Sequence, residues 1–192
     1  MRNHYNLHPN GEHELQLRGE LSNVFHSLWV THIILLGRLF GALVPYRGKD
    51  IPVEVNNYCK NNNLHWHRLF YFPNHAPYPF SSHMEYLGDN MVVEFVRFGL
   101  GLRLKLSVDE GALCYTTAGY LWRIGPLHLR LPDWLLLGSG TIIERGLDSE
   151  QIELDFTLKH PLFGLSFCYM GHFRIVSNEQ EELMQQRAEL KI

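Results

Sequence analysis

Trp66 and Arg68 stand two positions apart in a segment that alternates like a β-strand, so their side chains project from one face. An arginine beside an indole on a core-facing side must meet a carboxylate or reach water, because an unpaired buried charge is costly. Two carboxylates sit in apolar, strand-like surroundings and could meet it: Glu94 in Met91-Val92-Val93-Glu94-Phe95, and Glu144 in Ile142-Ile143-Glu144. The pairing is open between them. Two readings follow: a structural buried ion pair, or a polar anchor at the base of a ligand cavity. In the second, Trp66, Arg68, Ser81, Glu94, Glu144 and Tyr169 form the candidate ligand-binding set.

Of the 12 histidines, His65 and His67 flank Trp66 and share the opposite strand face. Two imidazoles are not a metal site, although His83 or Glu85 on a neighbouring strand could supply a third ligand. The plainer reading is a pair of exposed polar positions around a buried Trp66, and no native metal is expected. Gly99-Leu100-Gly101 lacks the third glycine and the following helix that a phosphate-cradling turn requires. Gly138-Ser139-Gly140 lacks the pattern of a nucleophile elbow and is expected to be a tight turn. No catalytic residue and no cofactor are assigned, which favours a non-enzymatic role.

The chain has 192 residues with 45% hydrophobic content, enough to fill one core, so one domain over 1–192 is expected. With 17 basic and 20 acidic side chains it has no basic field, which argues against nucleic acid as a partner. Cys59, Cys114 and Cys168 are odd in number and widely spaced, as expected of reduced structural thiols. The polar N-terminus lacks the apolar run of a secretory signal, so a cytoplasmic location is expected. The most apolar stretch, Val24 to Val44, is interrupted by His26, His32 and Arg38, which makes a membrane span costly.

That stretch is expected to be a long helix over 24–44, capped by Ser22 or Asn23 and ended by Pro45. Phe25, Leu28, Trp29, Leu36, Leu39, Phe40 and Leu43 would form its core side. A strand over 13–19 precedes it, and residues 1–12 form a loose lead-in. From Ile51 the chain reads as consecutive strands with turns at Asn61-Asn62-Asn63, Gly88-Asp89-Asn90 and Asp109-Glu110-Gly111. Alternation is clearest in Leu100-Leu102-Leu104-Leu106, in Ile152-Leu154-Phe156-Leu158 and in Leu165-Phe167-Tyr169-Gly171-Phe173. Gly171 should mark a bend or close backbone approach. A short C-terminal helix is expected over 177–192. The fold class is therefore mainly β (α+β): a strongly curved antiparallel sheet or partly open β-barrel of roughly eight to ten strands, with the helix on its concave side or mouth.

An ordered set of segments carries a resemblance: Val44-Pro45, Asp50 to Val55, Trp66-x-Arg68-x-Phe70, Phe80-Ser81, Val93-Glu94, His160 to Leu165, and Tyr169-x-Gly171. Together they resemble a bacterial domain of unknown function often found C-terminal to saccharopine-dehydrogenase-like NAD(P)-binding domains. The loop Asn74-His75-Ala76-Pro77 departs from that pattern. The resemblance implies a domain without an assigned activity, and a reductase-like protein as a conceivable partner. The architecture suggests a hydrophobic or lipid-like small molecule as ligand, in a cavity of a few hundred Å³. An accessory or interaction role is the alternative, and a metal-dependent or acid–base enzyme a minor one.

Overall fold

Period-two alternation with one apolar face obliges a long antiparallel sheet to bury that face, and here it does so by closing on itself. The structure is a computed structural model that describes residues 15–39 and 44–176. Its strands are β1 (Leu15–His26), β2 (Ile51–Lys60), β3 (Asn63–Phe70), β4 (Tyr78–Gly88), β5 (Met91–Phe95), β6 (Leu100–Asp109), β7 (Ala112–Ile124), β8 (Leu127–Leu131), β9 (Ser139–Gly146), β10 (Gln151–His160) and β11 (Gly164–Val176). Among the described residues one α-helix, α1 (Thr31–Leu39), follows a 3-10 turn over Leu28–Val30.

Every pairing is antiparallel. Strands β1 to β7 pair in sequence order, β7 then pairs β9, β10 follows, and β11 pairs β1. The ring therefore has ten strands and is closed. Strand β8 lies outside it, alongside Tyr120–Ile124 of β7, where β9 no longer reaches. Closure satisfies the backbone groups that an open sheet would leave at its edges.

The turns expected at Asn61-Asn62-Asn63, Gly88-Asp89-Asn90 and Asp109-Glu110-Gly111 form. Asn61, Asn62, Asp89, Asn90 and Glu110 all adopt positive φ, a region Asn and Asp tolerate better than most residues. Gly171 marks a close approach of β11 to β1, since a Cβ there would lie 2.5 Å from the Glu20 carbonyl oxygen. Gly138-Ser139-Gly140 is not a turn. It opens β9, and a Cβ on Gly138 would overlap the Lys159 carbonyl of the neighbouring strand.

The expected long helix over 24–44 is not seen. Strand β1 continues through His26, held on both sides by β11 and by a bridge between Val24 and Gly48. Ser22 is no helix cap: its hydroxyl donates to the Met170 carbonyl 3.2 Å away, beside a β-bulge. Helical spacing at residues 24–26 is outweighed by pairing with β11 and by the bridge to Gly48, a long-range gain that a local pattern cannot register. Among the described residues of this stretch, the helical ones are the 3-10 turn over Leu28–Val30 and the nine residues of α1. Val30 of the 3-10 turn and Ile34 of α1 bury against Leu137, Phe156, Leu158 and Phe167, closing one end of the barrel, whereas Leu28 is exposed. The side chains of Leu36 and Leu39, residues 40–43, the 1–12 lead-in and the expected 177–192 helix lie outside the described residues.

Candidate functional site

Strand β3 turns Leu64, Trp66, Arg68 and Phe70 inward, as alternation requires, and Arg68 enters an interior that is otherwise apolar. Its register sets Phe80 of β4 opposite Arg68 and Ser82 opposite Trp66. Arg68 donates from Nη1 to the Ser82 hydroxyl at 2.9 Å and from Nη2 to Glu94 Oε1 at 3.2 Å. Ser82 donates in turn to the same Oε1 at 2.6 Å. The guanidinium carbon lies 5.1 Å from the ring centres of both Trp66 and Phe80, within cation–π range of each. Of the two carboxylates the sequence offered, Glu94 makes this ion pair with Arg68. Ser81 is exposed, and its neighbour Ser82 faces the interior.

Two cavities meet at this cluster. The larger, about 180 Å³, is lined by apolar side chains from most of the ring, by Ile33 and Gly37 of α1, and by Leu136 and Leu137 before β9. The smaller, about 60 Å³, lies toward β1 and β2 and takes in Asn57, Trp66, Glu144 and Tyr169. Arg68, Phe70 and Tyr169 border both, so they form the partition between them. Burial, with Glu94 and Glu144 nearby, pushes the Tyr169 phenol up to about 12 although Arg68 opposes the shift. It is therefore neutral at physiological pH, able to donate and to accept one hydrogen bond. The interior can hold an apolar body and satisfy a small polar group at its deep end; no activated nucleophile stands among these residues.

A family model described as "Domain of unknown function (DUF4166)" matches residues 1–173. The chain belongs to this family. A further relative is the uncharacterised protein YndH of Bacillus subtilis (strain 168), 25% identical over 194 residues, which cover 90% of this chain and 92% of YndH. No solved structure matches the chain. Family membership thus brings no activity with it, and the geometry of this DUF4166 barrel has to carry the functional reading.

The outer face of the DUF4166 barrel holds His65, His67 and His83. His65 stacks on Tyr58 of β2 at 5.0 Å and on His83 of β4 at 5.3 Å, and His83 stacks on Phe95 at 5.6 Å, a ladder that crosses four strands. Arg123 ends it, 4.0 Å over the Phe95 ring and bonded through both amino groups to Glu85 at 2.8 Å. Stacked rings turn faces, not nitrogens, toward one another, and Glu85 is committed to Arg123 and His83. His67 is exposed and outside the ladder, and no group of three potential metal ligands occurs among the described residues.

Sequence reasoning missed Ser82, Asn57 and the two residues of α1 that reach the cavity. A signal existed for Asn57: the inward series Ile51, Val53, Val55 continues onto it, which puts an amide at a core position. Ser82 follows from counting two from Phe80. Ile33 and Gly37 left no such trace, because the helix they occupy is shorter and differently placed than its pattern implies.

Proposed function

We propose that this domain binds a small hydrophobic or lipid-like molecule inside the barrel without transforming it, with the ligand's polar group near Arg68, Glu94 and Tyr169. One observation carries the reading: an apolar cavity of about 180 Å³ that ends on a buried, hydrogen-bonded polar cluster. Its volume falls below the few hundred Å³ expected from the sequence, so the ligand is slender or small. It is still ample, since an apolar cavity of roughly 150 Å³ stays free of water and admits benzene.

A neutral fluorescent naphthylamine probe tests this by direct titration. Saturable binding near one probe per chain is expected, and Ile142→Trp, which fills the cavity from β9, should weaken it at least tenfold while the variant stays folded. Absence of saturable binding in the native protein, or full binding by the variant, overturns the reading.

A second reading is an accessory domain for an NAD(P)-dependent reductase-like partner. Its support is the apolar surface of the β7–β8 hairpin and the turn after it, where Leu127, Leu129, Trp134 and Leu135 are exposed. Co-purification of such a reductase that is lost in the Leu127→Ser/Leu129→Ser double variant would favour it. A reductase retained by that variant would count against this surface.

A further inference from the structure

The smaller cavity holds a feature that the apolar cavity does not explain. Asn57 is 1% exposed, and its side-chain oxygen has no hydrogen-bond partner. It lines the 60 Å³ space together with Glu144, Arg68 and Tyr169. Leaving a buried acceptor unmade is costly, and natural proteins rarely do so without water or a ligand to meet it. The other polar groups around this space are also rich in acceptors. Glu144 supplies a carboxylate, and Tyr169 a hydroxyl that is neutral and so can accept as well as donate. Arg68 is the one basic side chain lining either cavity among the described residues, and its amino groups already serve Ser82 and Glu94.

We infer that the 60 Å³ space beside Asn57 is the head-group pocket for an amphiphile whose polar end donates hydrogen bonds, an alcohol or a primary amine, with the apolar chain lying in the larger cavity. The inference rests on the proposed binding function and deepens it by naming the ligand class and its orientation. An anionic head is disfavoured for two reasons. It would bring no donor to Asn57, and Arg68, the basic side chain beside this space, already serves Ser82 and Glu94. An alcohol or ammonium satisfies the Asn57 oxygen and can share a second bond with Tyr169 or Glu144. Arg68, Phe70 and Tyr169 border both spaces, so the chain of an amphiphile whose head lies beside Asn57 would run past them to lie among Phe80, Leu102, Ile142 and Phe156.

Calorimetric titration of the full chain near neutral pH with 1-octanol, 1-octylamine and octanoate isolates the head group, because the chain is the same in all three. Expected is binding of the alcohol or the amine at least tenfold tighter than that of octanoate, with Asn57→Leu narrowing the gap to less than threefold. The native ranking stands as a test on its own if that variant does not fold. Equal affinity for all three, with the neutral naphthylamine probe still bound, would overturn the inference, leave the cavity reading intact and assign the Asn57 oxygen to buried water. Tightest binding of octanoate overturns it too. Failure of every ligand, the naphthylamine probe included, brings down the binding function itself.

Discussion

At the scale of single residues, the Arg68–Glu94 pair stands out, because each side chain keeps only 17% of its surface exposed and that surface borders the cavity. Breaking such a pair leaves an uncompensated charge. Glu94→Gln is expected to destabilise the fold by about 3 kcal/mol, whereas Arg68→Met/Glu94→Leu together should cost less than about 1 kcal/mol. Urea unfolding of the three proteins checks both, and equal losses in the single and double variants would show that the pair has no special role. His26 adds a pH dependence. It is buried, contacts the Pro45 carbonyl at 3.2 Å, and accepts from Arg47 at 3.5 Å. Burial first, and then Arg47, hold its pKa below the ordinary 6.5. The unfolded chain then binds more protons than the folded one just below 6.5, so stability is complete above that value and falls as the pH drops toward the folded pKa. His65, lowered by burial and by His83, adds in the same direction. The thermal midpoint should therefore fall between roughly pH 7.5 and pH 5.5, and fall less in His26→Gln. A flat profile in the native protein contradicts this.

At the scale of elements, the seam between β1 and β11 is a close approach that a single substitution can probe. Gly171 has an ordinary backbone angle, so the constraint is steric alone: any Cβ meets the Glu20 carbonyl oxygen at 2.5 Å and the Leu21 side chain at 2.6 Å. Gly171→Ala should cost about 3 kcal/mol, near the upper end of overpacking penalties, because backbone rather than a flexible side chain must move. Chemical denaturation measures it, and a change below about 1 kcal/mol would show that the two strands can separate locally. The glycine was readable from its place inside an alternating apolar run. Its partner strand was not, since β1 and β11 are joined only by the fold. The same limit explains the helix. Residues 24–26 share the spacing of the α1 residues, and only their pairing with β11 and the bridge to Gly48 make them a strand.

For the whole molecule, closure joins the first described strand to the last, with Gln16 paired to Val176. Contacts of that sequence separation form only after most of the chain is ordered, so folding is expected to be slow, on the order of tens of milliseconds to seconds. Stopped-flow refolding tests this, and a submillisecond main phase would contradict it. Alternation, the placing of turns and the sharing of one face by Trp66 and Arg68 were legible in the sequence because each depends on residues close together in the chain. Such regularities were enough to indicate a mainly antiparallel β fold with a buried arginine needing a carboxylate. The meeting of Arg68 with Glu94, the part of Ser82 as third partner, closure over an open sheet, and the short helix at the mouth were decided by tertiary structure. Each is a contact between distant segments, and its free energy exists only once strand register has brought them together.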